Sequence, residues 1–214
     1  MNWRQQDRAA VESGFSLIEV LVTMTTLTIA ATMGMPALLN YTQRARLEGA
    51  ARQVSMMLYS TRLEAITRGA PSAVGIDAET GELVAFVDVD GGTSTSPPDG
   101  VFDPVTGDHY RETDYELGRL RLPAGLKLAS PQGDVGIDSV DGFINPAPIP
   151  PHLAYFRIDG TVGDHGAFRV ADERGNFLEA RIAAATTARV ELRKWEGSSW
   201  REQGEGDRGA WTWH

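Results

Sequence analysis

The hydrophobic pattern changes character at three places along the chain. Residues 1–14 (MNWRQQDRAAVESG) are polar, and the stretch Phe15–Leu39 that follows carries a single charge, Glu19. As a helix, these roughly 25 residues reach about 37 Å at about 1.5 Å each, enough for a hydrocarbon core of about 30 Å. The pattern therefore predicts a single membrane-spanning helix over 15–39. A cleaved secretory peptide has a shorter apolar region ending in an A-x-A-like site, and no such site follows here. An ordinary signal anchor stays open as an alternative. From Asn40 to Gly69, Ala45, Ala50, Val54, Met57, Leu58, Leu63 and Ile66 recur at helical spacing among Arg44, Arg46, Glu48, Arg52, Arg62 and Arg68. Gly69 and Pro71 supply the stop. One helix of about 50 residues is expected, apolar all round and then amphipathic over 40–69, with Pro36 inside it as a kink or a lost backbone bond.

Beyond Gly69 the period shortens. Ser72–Ile76 and Glu82–Val89 flank Asp77-Ala-Glu-Thr-Gly81, which reads as a hairpin. Residues 90–116 are rich in Gly, Pro, Asp and Thr and read as loop. Leu117–Leu122, the short Leu126–Leu128, Ala154–Ile158, Ala167–Ala171, Phe177–Ala183 and Thr187–Arg193 are strand candidates, with 129–151 irregular between them. Asp172-Glu-Arg-Gly175 joins two of these strands. No internal repeat is evident. The expected architecture is α+β: a long N-terminal helix packed on an antiparallel β-sheet globular domain over 70–193, with a polar, Trp-containing tail over 194–214.

Composition narrows the chemistry. No cysteine occurs among the 214 residues, so disulfides, thiolate metal sites and cysteine nucleophiles are excluded. The net charge of -9 is concentrated. Between Asp77 and Glu116 eleven acids face one base, Arg111, so the rest of the chain is close to neutral. This balance argues against general nucleic-acid affinity. The four histidines are scattered, and no G-x-S-x-G, H-E-x-x-H or P-loop occurs. Gly204-Glu-Gly206-Asp-Arg-Gly209 fits G-x-G-x-x-G, but it follows no strand and opens no helix. No catalytic residues are expected.

The segment Gly14-Phe15-Ser16-Leu17-Ile18-Glu19-Val20-Leu21-Val22 resembles the processing site of type IV prepilins and type II secretion pseudopilins. The resemblance implies a leader, 1–14, removed by a prepilin peptidase that cuts after Gly14 and methylates the new amino group of Phe15. It makes Glu19 the assembly residue, and Pro36 falls where many pilins carry a helix-kinking proline. A carboxylate at membrane depth costs roughly 2.5–3.5 kcal/mol on insertion scales, so Glu19 needs a partner, and the Phe15 amino group of a neighbouring subunit would serve. Ser60-Thr-Arg62-Leu-Glu64-Ala65-Ile66-Thr-Arg68-Gly69-Ala-Pro71 is similar to the helix end of the GspH/FimT minor pseudopilins. Phe156-Arg-Ile-Asp-Gly160-Thr and Thr187-Ala-Arg189-Val190 resemble that group's late strands. The resemblance implies a single-pass inner-membrane protein with its globular domain in the periplasm, later built into a pilus-like filament with other pilins or pseudopilins. The function implied is that of a minor subunit in type II secretion or a type IV pilus. A DNA- or substrate-binding minor pilin on the same scaffold is the alternative.

Two further constellations carry chemistry. Asp88, Asp90, Asp99, Asp103 and Asp108, with glycines between, suit Ca²⁺ as hard oxygen ligands, although the spacing is not that of an EF-hand. The alternative is a solvated acidic loop with no cofactor at all. Arg189, Arg193 and Lys194 next to Trp195 and Trp200 could hold a DNA strand by charge and stacking, as some FimT-like proteins do. The alternative is tryptophans that pack the tail onto the domain.

Overall fold

The computed structural model describes residues 15–89, 100–102, 114–202 and 211. Among the described residues the order of elements is a helix, α1 (Leu17–Arg68), followed by ten strands: β1 (Ser72–Ile76), β2 (Leu83–Val87), β3 (Tyr115–Leu120), β4 (Leu126–Leu128), β5 (Asp141–Gly142), β6 (Ala154–Phe156), β7 (Gly166–Asp172), β8 (Phe177–Ala184), β9 (Arg189–Trp195) and β10 (Trp200–Glu202). A 3-10 turn, Gly136–Ser139, precedes β5. The α+β class is as expected, and α1, at 52 residues, is continuous across Pro36. The chain divides into two compact units, one ending at Thr42 and one beginning at Gln43.

In the first unit the described residues are an apolar helix. It starts where the Ser16 carbonyl accepts the amides of Glu19 and Val20 at 3.0 and 3.2 Å. Large apolar side chains from Phe15 to Leu39 are exposed on every side. Its threonines are satisfied within the helix. The hydroxyls of Thr23, Thr25, Thr26, Thr28 and Thr32 donate to carbonyls three or four residues back at 2.6–3.0 Å. Hydroxyls bonded this way add little to the cost of entering lipid, where an unpaired polar group is expensive. The helix is long and apolar enough to cross a membrane.

The second unit places the remainder of α1 against two antiparallel sheets. One has the order β3-β2-β1-β6, the other β10-β9-β8-β7-β4 with β5 paired to the far end of β7. Leu47, Ala50, Ala51, Val54, Leu58 and Ala65 of the helix share one core with Val74, Ala85 and Phe156 of the first sheet and Phe168, Val170, Leu178 and Ile182 of the second. The opposite face of the first sheet buries Ala73, Val84, Phe86 and Tyr155 under Leu153, Ile149 and Phe102. Strand β2 is consequently buried on both faces, which accounts for its unbroken apolar run Leu-Val-Ala-Phe-Val. The β1–β2 hairpin forms as read: Gly81 donates to the Asp77 carbonyl at 2.8 Å, and the Asp77 side chain accepts the amides of Glu79 and Thr80.

Four details differ from the sequence expectation. The buried stripe of α1 is rotated: Ala45, Leu63 and Ile66 face outwards, while Leu47, Ala51 and Thr61 face in. Thr61 can occupy the core because its hydroxyl bonds the Met57 carbonyl at 2.8 Å. The domain has two sheets instead of one. Strand β3 begins at Tyr115, inside the segment read as loop, and pairs with β2 through a bulge at Ala85/Phe86. The sheet also continues past Arg193. Lys194 and Trp195 complete β9, and Glu196–Ser199 turns into β10, with Trp200 paired to Trp195 and Glu202 to Arg193.

Candidate functional site

Two regions carry the residues singled out by sequence. The first is the start of α1. Gly14 lies outside the described residues. Phe15 is 80% exposed and sits just before the helix, and Glu19 is exposed in its first turn. A carboxylate there is favoured by the helix macrodipole, by about 0.3–1 kcal/mol, without any partner. That is well below the insertion cost of a charge at membrane depth. The helix end therefore lowers the cost of Glu19 but does not cancel it. Among the described residues, Glu19 is also the only ionisable side chain before Tyr41.

The second region is where the three segments that carry the GspH/FimT resemblance converge. Arg62, in the last turns of α1, donates through Nε to the Gly160 carbonyl at 2.9 Å. Gly160 closes the turn after β6: its amide donates to the Arg157 carbonyl, and its φ of 75° lies in the left-handed region. A Cβ built there would come within 2.5 Å of Ile66 Cδ1 and 3.2 Å of Arg62 Nε. Glycine is required twice over, by dihedral and by contact. Ala188, between β8 and β9, is buried. With Thr187 and Arg189 it faces Met56, Tyr59 and Arg62 across a shallow open groove of about 510 Å³. Glu64 and Arg68 pair at 2.6 Å on the neighbouring face of the helix.

The basic trio is not gathered into one patch. Arg189 lies between Glu191 and Glu202, at 3.1 Å from each, and Arg193 pairs with Glu191 at 3.0 Å. Lys194 points to the opposite face of β9, against Leu178 in the β8 register, and is only 4% exposed. Burial pushes its ammonium below the ordinary lysine range, against the pull of Glu196, and the nearby Arg44 lowers it further. Of the acidic set, Asp90, Asp99, Asp103 and Asp108 lie outside the described residues. Asp88 is fully buried, and its Oδ2 accepts the Gly100 amide at 2.7 Å, tying Gly100 to the end of β2. Among the described residues no three His, Asp or Glu side chains converge as metal ligands.

Sequence reasoning passed over a charge ladder on the outer face of the second sheet. Glu179, fully buried, sits between Arg169 at 3.3 Å and Arg181 at 3.6 Å. Both arginines reach Asp141 Oδ2, at 3.2 and 2.8 Å, and Trp200 covers Arg169 with 5.2 Å from its ring centre to the guanidinium. Burial raises the Glu179 carboxyl above its ordinary range, and Arg181 and Arg169 oppose the rise. The alternation Glu179-x-Arg181 and Glu191-x-Arg193 is the signal that could have revealed the ladder, since cross-strand charge pairs repeat with period two. No family model, curated protein or solved structure matches this chain. The functional reading therefore rests on the residues themselves.

Proposed function

We propose that the chain is a minor subunit of a pilus-like filament, of the GspH/FimT pseudopilin kind, serving a type II secretion or type IV pilus system. The observation that carries this reading is the pairing of Glu19 with the helix it begins. That helix is apolar on every side up to Leu39, satisfies its own hydroxyls, and contains one carboxylate in its first turn. A plain anchor has no use for that carboxylate. A subunit that leaves the bilayer for a helical bundle does, as the counter-charge of a neighbour's Phe15 amino group. The meeting of the 60–71, 156–160 and 187–190 segments around Arg62 supports the same reading, since the resemblance quotes all three.

In this account the protein waits in the inner membrane as a single-pass protein with its β unit in the periplasm, and its work is mechanical, not catalytic. The orientation rests on the resemblance, because arginines flank the span on both sides (Arg4 and Arg8; Arg44 and Arg46). Its partners are the prepilin peptidase, then other pilins or pseudopilins through the first half of α1. Co-expression with a prepilin peptidase tests the reading: mass spectrometry is expected to find an amino terminus at Phe15, N-methylated. An uncut chain, or a cut after the apolar run, would overturn it.

A further inference from the structure

We propose that one end of the six-stranded sheet is a lipid-headgroup contact surface that seats the second unit on the bilayer before assembly. This rests on the reading of the first half of α1 as a membrane span. The antiparallel register gathers five strand termini at that end. Leu126 pairs with Asp172, Ala171 with Phe177, Leu178 with Lys194, and Trp195 with Trp200. The turns Asp172–Asn176 and Glu196–Ser199 therefore emerge together, beside Ala124 and Gly125. The amphipathic part of α1 begins at the same end: Gln43 and Arg46 line one cleft with Gly125, Glu173 and Arg174.

Covalent geometry limits how far Gln43 can lie from the end of the apolar run. Gln43 follows Leu39 by four residues, so even a fully extended joint keeps it within about 14 Å of the end of the apolar run. The interfacial layer on each side of a bilayer is about 5–7 Å thick. A reach of about 14 Å lets Gln43 lie within that layer or just beyond it.

Its chemistry suits that place. Trp195 and Trp200 pack against each other in the β9–β10 hairpin, ring centres 5.4 Å apart and planes tilted by 59°, and half-exposed tryptophan favours the membrane interface. Arg44, Arg46, Arg174 and Arg201 outnumber the acids there, Asp172, Glu173 and Glu196, while Lys194 is buried on the core side. Two of those acids are engaged. Asp172 accepts the amides of Arg174 and Asn176 and the Asn176 side chain, and Glu196 pairs with Arg201 at 3.3 Å. Arg46 is exposed and makes no ion pair with any described residue. At the other end of the sheet the β8–β9 turn, residues 185–188, is Ala-Thr-Thr-Ala and has neither aromatic nor charge.

The absence of cysteine makes the test direct, because one introduced thiol is a unique label. Full-length chains carrying Ser198→Cys, Thr186→Cys or Leu27→Cys, each with a fluorophore, are reconstituted in phosphatidylcholine nanodiscs with or without phosphatidylglycerol. Quenching is read from lipids spin-labelled at the headgroup or at mid-chain. The Leu27 probe should be quenched from mid-chain, the Ser198 probe from the headgroup, and the Thr186 probe by neither. Anionic lipid should deepen the Ser198 quenching. Arg46→Gln and Arg174→Gln should each lower the docked-to-undocked ratio on anionic membranes roughly fivefold, the effect of one basic residue near such a surface. Quenching at Leu27 with none at Ser198, or equal quenching at Ser198 and Thr186, overturns the docking surface and leaves the span intact. No quenching at Leu27 overturns the span and the docking together.

Discussion

Replacing Gly160 by alanine tests the junction that joins the end of α1 to the β domain. The backbone at Gly160 has φ 75°, and placing an L-residue in that region costs about 1–2 kcal/mol. The new methyl would also meet Ile66 Cδ1 at 2.5 Å and Cγ1 at 2.9 Å, distances at which something must move. If the turn yields instead of Ile66, the Arg62 hydrogen bond to the Gly160 carbonyl is lost, and a bond from a charged donor contributes about 1.5–3 kcal/mol. Gly160→Ala is therefore expected to destabilise the β domain by about 2–4 kcal/mol. A double-mutant cycle separates the terms. Ile66→Ala empties the space the methyl needs, so in that background only the dihedral cost of about 1–2 kcal/mol should remain. Urea unfolding of the full-length protein in detergent, followed by tryptophan fluorescence, measures all four corners. A Gly160→Ala change that costs less than about 0.5 kcal/mol, the range of an ordinary surface substitution, would refute the argument.

Other substitutions probe separate parts of the account. Leu58→Ala empties a fully buried site in the shared core and should cost about 2–5 kcal/mol, whereas Thr61→Val, which removes a hydroxyl already bonded within its helix, should change stability by less than about 1 kcal/mol in the same unfolding assay. Arg169→Met leaves Glu179 buried with a weakened partnership and should cost about 3–5 kcal/mol at neutral pH, with the deficit narrowing in melts at acidic pH as the carboxylate protonates. Asp77 is held at about 2 by its bond to Arg119 and by the amides of Glu79 and Thr80, so its contribution is present above the unfolded value near 4 and is lost as pH falls towards 2. The melting-temperature gap between wild type and Asp77→Asn should accordingly close between pH 5 and pH 2.

Local signals in the sequence anticipated the local structure. The hairpin at Asp77–Gly81, the turn after Asp172 and the extent of α1 each follow from spacing and turn residues that act within a few positions. Reasoning failed where distant partners decide. Leu63 and Ile66 outrank Thr61 in hydropathy, yet the sheets cover the side of the helix that carries Thr61, whose hydroxyl is satisfied by the Met57 carbonyl. The segment Lys194–Glu202 read as polar tail because its charges were counted singly. In the folded sheet they are cross-strand partners, Glu202 beside Arg193 and Arg189. The division of the strands into two sheets depends on β6 pairing with β1 from about eighty residues away, an arrangement no local pattern encodes. Of the candidate site, Glu19 was legible because a lone charge in an apolar run is visible without a fold. The Arg62–Gly160 contact spans 98 residues, and only the folded chain brings its two halves together.

The central claim is that Glu19 serves assembly and not anchoring, and crosslinking between neighbouring subunits in the filament measures this most directly. Glu19→Gln keeps the size of the side chain and removes its charge. A neutral amide enters lipid at lower cost than a carboxylate, so insertion should persist, and cutting after Gly14 should persist because the scissile bond is untouched. Recruitment should fall, because the Phe15 amino group of the neighbour loses its counter-charge. The account predicts a variant that is inserted and processed like the wild type but crosslinks poorly to its neighbours; a variant that crosslinks as well as the wild type would contradict it.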